Sequence, residues 1–131
     1  MSEERADYTL DQARAMLPEI RATLLQLAVL RGRHAQAHAA LHERLEQDGD
    51  PHASAEQHRQ EETLASVREA IQSLVEYLET RGIELRDLEE GLVDIPTTRD
   101  GEPAWFCWRL SDPELAFWHT THEGYASRKP L

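Results

Sequence analysis

Residues 91–110 read GLVDIPTTRDGEPAWFCWRL, two apolar runs separated by Asp100-Gly101. Aspartate followed by glycine between such runs is a strong signal for a two-residue β-hairpin turn. The runs therefore predict antiparallel strands over residues 91–98 and 103–110. Ser111-Asp112-Pro113 is a second turn signal, and residues 114–119 predict a third strand. The sequence thus predicts a three-stranded antiparallel meander.

The Asp100-Gly101 turn also sets a register, because the loop of a hairpin determines which residues face each other. Asp94 is expected opposite Cys107, and Trp105 opposite His119 across the second turn. Side chains alternate between the two faces of a strand. One face is almost wholly apolar and is predicted to pack on the rest of the protein; it carries Val93, Ile95, Phe106, Trp108, Ala116 and Trp118. The other, here called the outer face, carries Asp94, Trp105, Cys107, Arg109, Phe117 and His119.

The outer face groups side chains that can bind ligands or do chemistry. A salt bridge between Asp94 and Arg109 is one interpretation, since the two lie diagonally across neighbouring strands. A ligand pocket is another, in which Arg109 binds an anion, His119 acts as donor or base and Trp105 forms a stacking wall. Cys107 and His119 could also form a nucleophilic pair. The commoner role for such a cysteine is that of a small buried hydrophobe.

The preceding residues predict a long antiparallel helical hairpin. Thr9-Leu10-Asp11-Gln12 matches a capping box, so a helix is expected to start near Leu10. Pro18 predicts a kink or a split of that helix. Mostly apolar positions at heptad spacing mark both arms around a turn at residues 47–51, and Gly82 is expected to end the second arm. The first stripe is Leu17, Ile20, Leu24, Leu27, Arg31, His34, His38, Leu41 and Leu45; the second is Gln60, Leu64, Val67, Ile71, Leu74 and Leu78.

Histidines are dense in this hairpin. His34, His38 and His42 are spaced four residues apart and rise along one side of the first helix. The predicted turn brings His38 and His42 close to His58 and Glu61, a set that could hold zinc or another divalent metal. The alternative is that His34 and His38 are partly buried in the seam between the helices, with His42 and His58 solvated. Acid would then destabilise the hairpin, because buried neutral histidines must become charged.

The 131 residues fit a single domain, with the helical hairpin at 9–82, the meander at 83–120 and a tail at 121–131. The formal net charge of −11 argues against a nucleic-acid partner, because a phosphate backbone requires a basic surface. No apolar stretch is long enough to suggest a membrane span. The single cysteine excludes an intramolecular disulfide, and without a secretory signal we expect a cytoplasmic protein.

Two helices bury too little surface to be stable alone, so each is expected to pack on the meander or on a second copy of the chain. We therefore predict an α+β protein that forms a homodimer. No complete catalytic motif is present, and the main hypothesis is a binding or assembly module. The alternative is a metal- or small-anion-binding protein, which could be an enzyme. Its site would lie on the meander (Asp94, Arg109 and His119) or at the hairpin tip (His38, His42, His58 and Glu61).

Three groups of segments share a pattern with one family. They are residues 8–13 with 17–19, residues 82–96, and residues 107–110 with 117–119, 124–125 and 128–131. Together they resemble the prokaryotic domain-of-unknown-function family 2203 over nearly the whole chain. The histidines at 34, 38 and 42 are not part of that pattern. The resemblance implies a bacterial, cytoplasmic protein and brings no established activity, substrate or catalytic residues.

Overall fold

The computed structural model describes residues 7–45 and 53–131. In this part of the chain two helices precede a β-sheet, so the α+β class is confirmed. The helices are α1 (Leu10–Leu45) and α2 (Ala53–Glu79). The strands are β1 (Glu84–Asp87), β2 (Leu92–Arg99), β3 (Glu102–Arg109), β4 (Phe117–Thr120) and β5 (Lys129–Pro130). The predicted turn at residues 47–51 lies outside the described residues.

Helix α1 begins as the capping box predicts. The Thr9 backbone N–H donates to Gln12 Oε1 (2.9 Å), and the Gln12 N–H donates to Thr9 Oγ1 (3.1 Å). The helix continues through Pro18, so the predicted split is wrong. Proline removes one backbone hydrogen bond, and the burial of neighbouring residues such as Ile20 holds the helix together across that gap. The kink at Pro18 stays a prediction.

The two helices pack as an antiparallel pair. On α2 the predicted stripe is confirmed, and its buried members are Leu64, Val67 and Leu78. Across the pair, Tyr77 Oη donates to Glu19 Oε2 (2.6 Å), and Arg68 Nε donates to His34 Nε2 (3.4 Å). The first contact joins the start of α1 to the end of α2, and the second joins their middles, as an antiparallel hairpin requires.

The seam on the second half of α1 differs from the prediction. Leu30 and Ala37 are buried there, whereas Arg31 and His38 are exposed and His34 is half-buried. Desolvating a guanidinium or an imidazole is costly, so the helix presents the neighbouring apolar residues to the seam instead. The prediction of partial burial thus holds for His34 and is wrong for His38. The acid sensitivity expected from burial of both histidines loses its structural basis.

Helix α2 ends at a glycine cap, as predicted for Gly82. Its φ of 74° is left-handed. The Gly82 N–H donates to Glu79 O (2.9 Å), and the Ile83 N–H donates to Leu78 O (3.0 Å). This pair of bonds is a Schellman motif, and it turns the chain so that Ile83 enters the core directly before β1.

Within the described residues, the strands form one antiparallel sheet in the order β1-β2-β3-β4-β5. The predicted register is confirmed: Asp94 pairs with Cys107, and Trp105 with His119. The Asp100-Gly101 turn has φ values of 53° and 79°, as a type I′ turn requires. The prediction of three strands is incomplete, because β1 and β5 extend the sheet at its two edges.

The inner face of the sheet packs on the helices. Its buried residues Val93, Ile95, Phe106 and Trp108 share one core with Ala13, Ile20, Leu24, Leu27 and Leu78 of α1 and α2. The segment before α1 ties the layers together, because the Tyr8 N–H donates to Pro96 O (2.9 Å) and Tyr8 Oη donates to Arg81 O (2.7 Å). The outer face therefore points away from the helices and can build a site.

The composition of the helices and their exposed side chains bear on two predictions, the absence of a membrane span and the homodimer. Neither described helix is both long and apolar enough to cross a membrane. On α1, Leu25 and Val29 are 52 % and 55 % exposed. They lie four residues apart and so share one side of the helix. The homodimer stays a prediction, and this pair of side chains is a place to test it.

Candidate functional site

Three buried polar side chains lie side by side on the outer face. Asp94, Cys107 and His119 come from β2, β3 and β4 and are 3 %, 1 % and 2 % exposed. One donor atom from each side chain lies within 4.8 Å of the other two. The structure therefore brings together three of the five candidate site residues predicted on this face, while the other two, Trp105 and Arg109, lie around them.

Two contacts orient the His119 ring. Nδ1 lies 2.8 Å from the Thr120 carbonyl oxygen, and Nε2 lies 2.9 Å from Asp94 Oδ1. A carbonyl oxygen can only accept, so Nδ1 carries a proton. In a neutral ring Nε2 then has a lone pair, which faces a carboxylate oxygen. The Asp94–His119 pair is therefore arranged to hold a proton or a cation between two acceptors.

The second partner of Asp94 is Arg86 on β1. Arg86 Nε donates to Asp94 Oδ2 (2.9 Å), and the guanidinium lies 5.2 Å from the centre of the Trp105 ring. The predicted salt bridge between Asp94 and Arg109 is therefore wrong. The sequence prediction did not include β1; the alternation of apolar and polar residues at 83–86 was the signal available for it.

Arg109 lies beside the cluster and has other partners. Its guanidinium is 3.7 Å from Asp112 and 3.8 Å from Glu90, and it lies 5.2 Å from the centre of the Tyr125 ring. Asp112 also accepts from Arg128 (2.7 Å). Burial alone would raise the pKa of Asp112, but the hydrogen bonds from Arg128 and the Arg109 backbone outweigh it and lower the pKa. The Asp112 carboxylate thus links Arg128, near the C-terminal end, to the end of β3.

Cys107 is not an activated nucleophile. Burial, followed by the negative charge of Asp94, raises the pKa of its thiol to about 12. The group is therefore a neutral thiol at neutral pH. His119 does not serve as its base in this geometry, because the two ring nitrogens contact Asp94 and Thr120. The structure argues against the nucleophilic pair and places Cys107 among the buried side chains of the sheet.

A cleft of about 370 Å³ opens beside Asp94, between the outer face and the residues after β4. Its lining residues are Arg86, Leu92, Asp94, Thr121, Glu123, Gly124 and Tyr125. Lys129 Nζ donates to Glu123 Oε1 (2.7 Å), and this bond, with that from the Thr120 backbone, lowers the pKa of Glu123 to about 2. The tail at residues 121–131, whose structure the sequence left open, forms one side of this cleft and ends in β5.

The residues predicted for a metal site at the hairpin tip do not form a cluster. His38, His42, His58 and Glu61 are all exposed, and His58 pairs with Glu62 (2.9 Å). Water can satisfy exposed histidines, so nothing draws these four side chains together. In residues 7–45 and 53–131, the group of such donors close enough to share an ion is Asp94, Cys107 and His119.

Comparison with known proteins identifies the family of this chain. The family model described as "Uncharacterized conserved protein (DUF2203)" matches residues 7–131, and the chain belongs to that family. The match confirms the resemblance seen in the sequence. No curated protein and no solved structure matches the chain.

Proposed function

We propose that the chain is a binding module for a small molecule that carries a carboxylate or phosphate group. The site is the cleft between the outer face and the residues after β4, and Arg86 is the residue that binds the anionic group. The observation that carries the proposal is the geometry of Arg86, which lines the cleft while its Nε is bound to Asp94.

Arg86 is held in place before a ligand arrives. Its Nε donates to Asp94 Oδ2 (2.9 Å), and its guanidinium lies over Trp105. Within the described residues, Arg86 donates this one hydrogen bond, through its Nε. Its two terminal amino groups therefore remain available to a ligand. Such a planar fork matches two oxygens of a carboxylate or phosphate. A donor oriented in advance also loses less entropy on binding.

The acidic groups near Arg86 are already paired. Asp94 contacts both Arg86 and His119, and Glu123 accepts from Lys129 (2.7 Å). A carboxylate with a cation at hydrogen-bond distance repels an incoming anion less than an unpaired one, because the opposite charges partly cancel. The two acids in the wall of the cleft are therefore compatible with an anionic ligand.

The cleft has the dimensions of a small-ligand site. Its volume of about 370 Å³ falls within the range of roughly 300–1,000 Å³ found for ligand pockets. Tyr125 forms part of its wall and is itself held by Arg109 at 5.2 Å and Arg128 at 4.4 Å. A ligand in the cleft would therefore contact an aromatic surface as well as the Arg86 fork.

The state of the neighbouring groups favours binding over catalysis. The Cys107 thiol is neutral, and both nitrogens of the His119 ring are engaged. In this geometry neither group is free to attack a ligand or to take a proton from it. These observations favour small-anion binding without catalysis, which the sequence left as the alternative to a binding or assembly module.

Isothermal titration calorimetry with inorganic phosphate and, separately, with succinate tests the proposal. We expect wild-type protein to bind at least one of them. Arg86→Gln should weaken that binding about tenfold or more, since a charge-assisted hydrogen bond contributes about 1.5–3 kcal/mol. Arg99→Gln is the matched control, because Arg99 stacks on Trp118 (4.4 Å) and does not line the cleft. Unchanged binding by Arg86→Gln, or no binding of either anion by wild type, would refute the proposal.

A further inference from the structure

We infer that Asp94, Cys107 and His119 form a site for a transition-metal ion, with zinc as the expected occupant. The three side chains offer an oxygen, a sulfur and a nitrogen from three neighbouring strands, within 4.8 Å of one another. A donor set that includes sulfur and imidazole favours Zn²⁺ over Mg²⁺ and Ca²⁺, which prefer oxygen ligands. The inference goes beyond anion binding and does not require it.

The spacing of the three donors is close to what zinc requires. Zinc–ligand bonds of about 2.0–2.3 Å place tetrahedral ligand atoms roughly 3.3–3.6 Å apart. Asp94 Oδ1 and His119 Nε2 are 2.9 Å apart, and no pair in the set is more than 4.8 Å apart. Side-chain movements of about 1 Å therefore bring all three donors to bonding distance of one ion.

The surrounding hydrogen bonds also fit a metal site. His119 Nδ1 donates to the Thr120 carbonyl (2.8 Å), which turns the Nε2 lone pair toward Asp94. Metal-binding histidines almost always donate their second ring N–H in this way. Arg86 holds Asp94 Oδ2 and leaves Oδ1 facing His119. A divalent ion bound to both facing acceptors would remove the need for a proton between them.

The charges balance when the site is loaded. An ionised Asp94, a Cys107 thiolate and a divalent ion sum to zero, so the buried set as a whole is neutral. Three protein ligands leave a fourth position open. Asp94 borders the cleft, so water can reach that position.

Titration of the untagged, metal-free protein with Co²⁺ tests the inference. A buffer without phosphate or carboxylates keeps the result independent of the anion proposed for the cleft. We expect one Co²⁺ per chain, a sulfur-to-cobalt charge-transfer absorption band, and loss of that band when Zn²⁺ displaces the cobalt. Cys107→Ser should abolish the band and weaken binding. The double variant His38→Ala/His42→Ala is the control and should leave both unchanged.

A folded wild-type protein that shows no such band would overturn the inference. So would a band that survives Cys107→Ser or disappears in His38→Ala/His42→Ala, because either result would place the ion elsewhere. Circular dichroism shows whether each variant is folded. The wild-type titration decides the question even where a variant does not fold.

Discussion

Replacement of Asp94 by leucine is expected to lower the free energy of unfolding by about 1–4 kcal/mol. The larger part comes from His119, which is buried and whose Nε2 would lose its partner at 2.9 Å. An unpaired buried polar group costs about 1–3 kcal/mol. The smaller part comes from the ion pair with Arg86, whose side chain is 44 % exposed. Water screens such a pair, and it contributes about 0.2–1 kcal/mol.

Asp94→Asn separates the charge of the carboxylate from its hydrogen bonds. The amide oxygen can accept from Arg86 Nε, and the amide N–H can donate to the Nε2 lone pair of His119. The cost should then fall to about 1 kcal/mol, a typical net value for one hydrogen bond. Asparagine should be tolerated better than leucine because, with the proton on His119 Nδ1, Nε2 is free to accept the hydrogen bond that the asparagine amide donates.

Urea unfolding followed by the fluorescence of the three sheet tryptophans measures both variants. In thermal unfolding, the leucine variant should lose roughly 3–14 °C in Tm for a chain of this length. Asp100→Asn is the matched control: Asp100 is exposed, and asparagine tolerates its positive φ, so the change should stay within about 0.5 kcal/mol. A loss below about 1 kcal/mol for Asp94→Leu, or equal losses for leucine and asparagine, would refute the assigned hydrogen bonds.

Three further predictions concern a glycine, an acid and the oligomeric state. Gly91→Ala should cost about 1–3 kcal/mol in chemical denaturation, because Gly91 has a φ of 63° and a Cβ there would lie 2.6 Å from a leucine side chain. A change within about 0.5 kcal/mol would contradict this steric argument. Asp112, whose pKa is lowered, stabilises the fold above its unfolded value of 3.8 and loses that contribution as the pH falls through the folded pKa. Asp112→Asn should therefore be less stable than wild type at neutral pH, with the difference closing below about pH 4; a constant difference would count against the pair with Arg128. Sedimentation equilibrium at micromolar concentration should show a dimer for wild type and a monomer when Leu25 and Val29 are both changed to serine, whereas a wild-type monomer would exclude the homodimer.

The β-hairpin could be predicted to the residue because its determinants are local. The Asp100-Gly101 turn favours one register, and that register puts Asp94 opposite Cys107, as observed. The helical seam was predicted less well, because the choice between Leu30 and Arg31 depends on how α1 is rotated against α2. Strand β5 could not be predicted, because a strand of two residues shows no alternation of apolar and polar side chains.

The candidate site could be predicted in its members but not in all its pairings. Alternation along the strands placed Asp94, Cys107 and His119 on one face, and they are found together there. Their partners depend on segments whose position no local pattern indicated. Arg86 reaches Asp94 from β1, and the residues after β4 close the cleft. By register alone, Arg109 is the basic residue nearest to Asp94. The sequence therefore predicts a salt bridge with Arg109, whereas the structure shows one with Arg86.

Within the described residues, the sheet ends on both sides in a strand that is poorly suited to further pairing. Strand β1 is four residues long and has an irregular register with β2 between Leu85 and Asp87. Strand β5 has two residues, one of which, Pro130, lacks a backbone N–H. Short, irregular or proline-bearing edges resist the addition of strands from other molecules, which is the first step of edge-to-edge aggregation. These two edges therefore disfavour polymerisation of the open sheet. Ordered assembly of this chain would have to use surfaces other than its sheet edges.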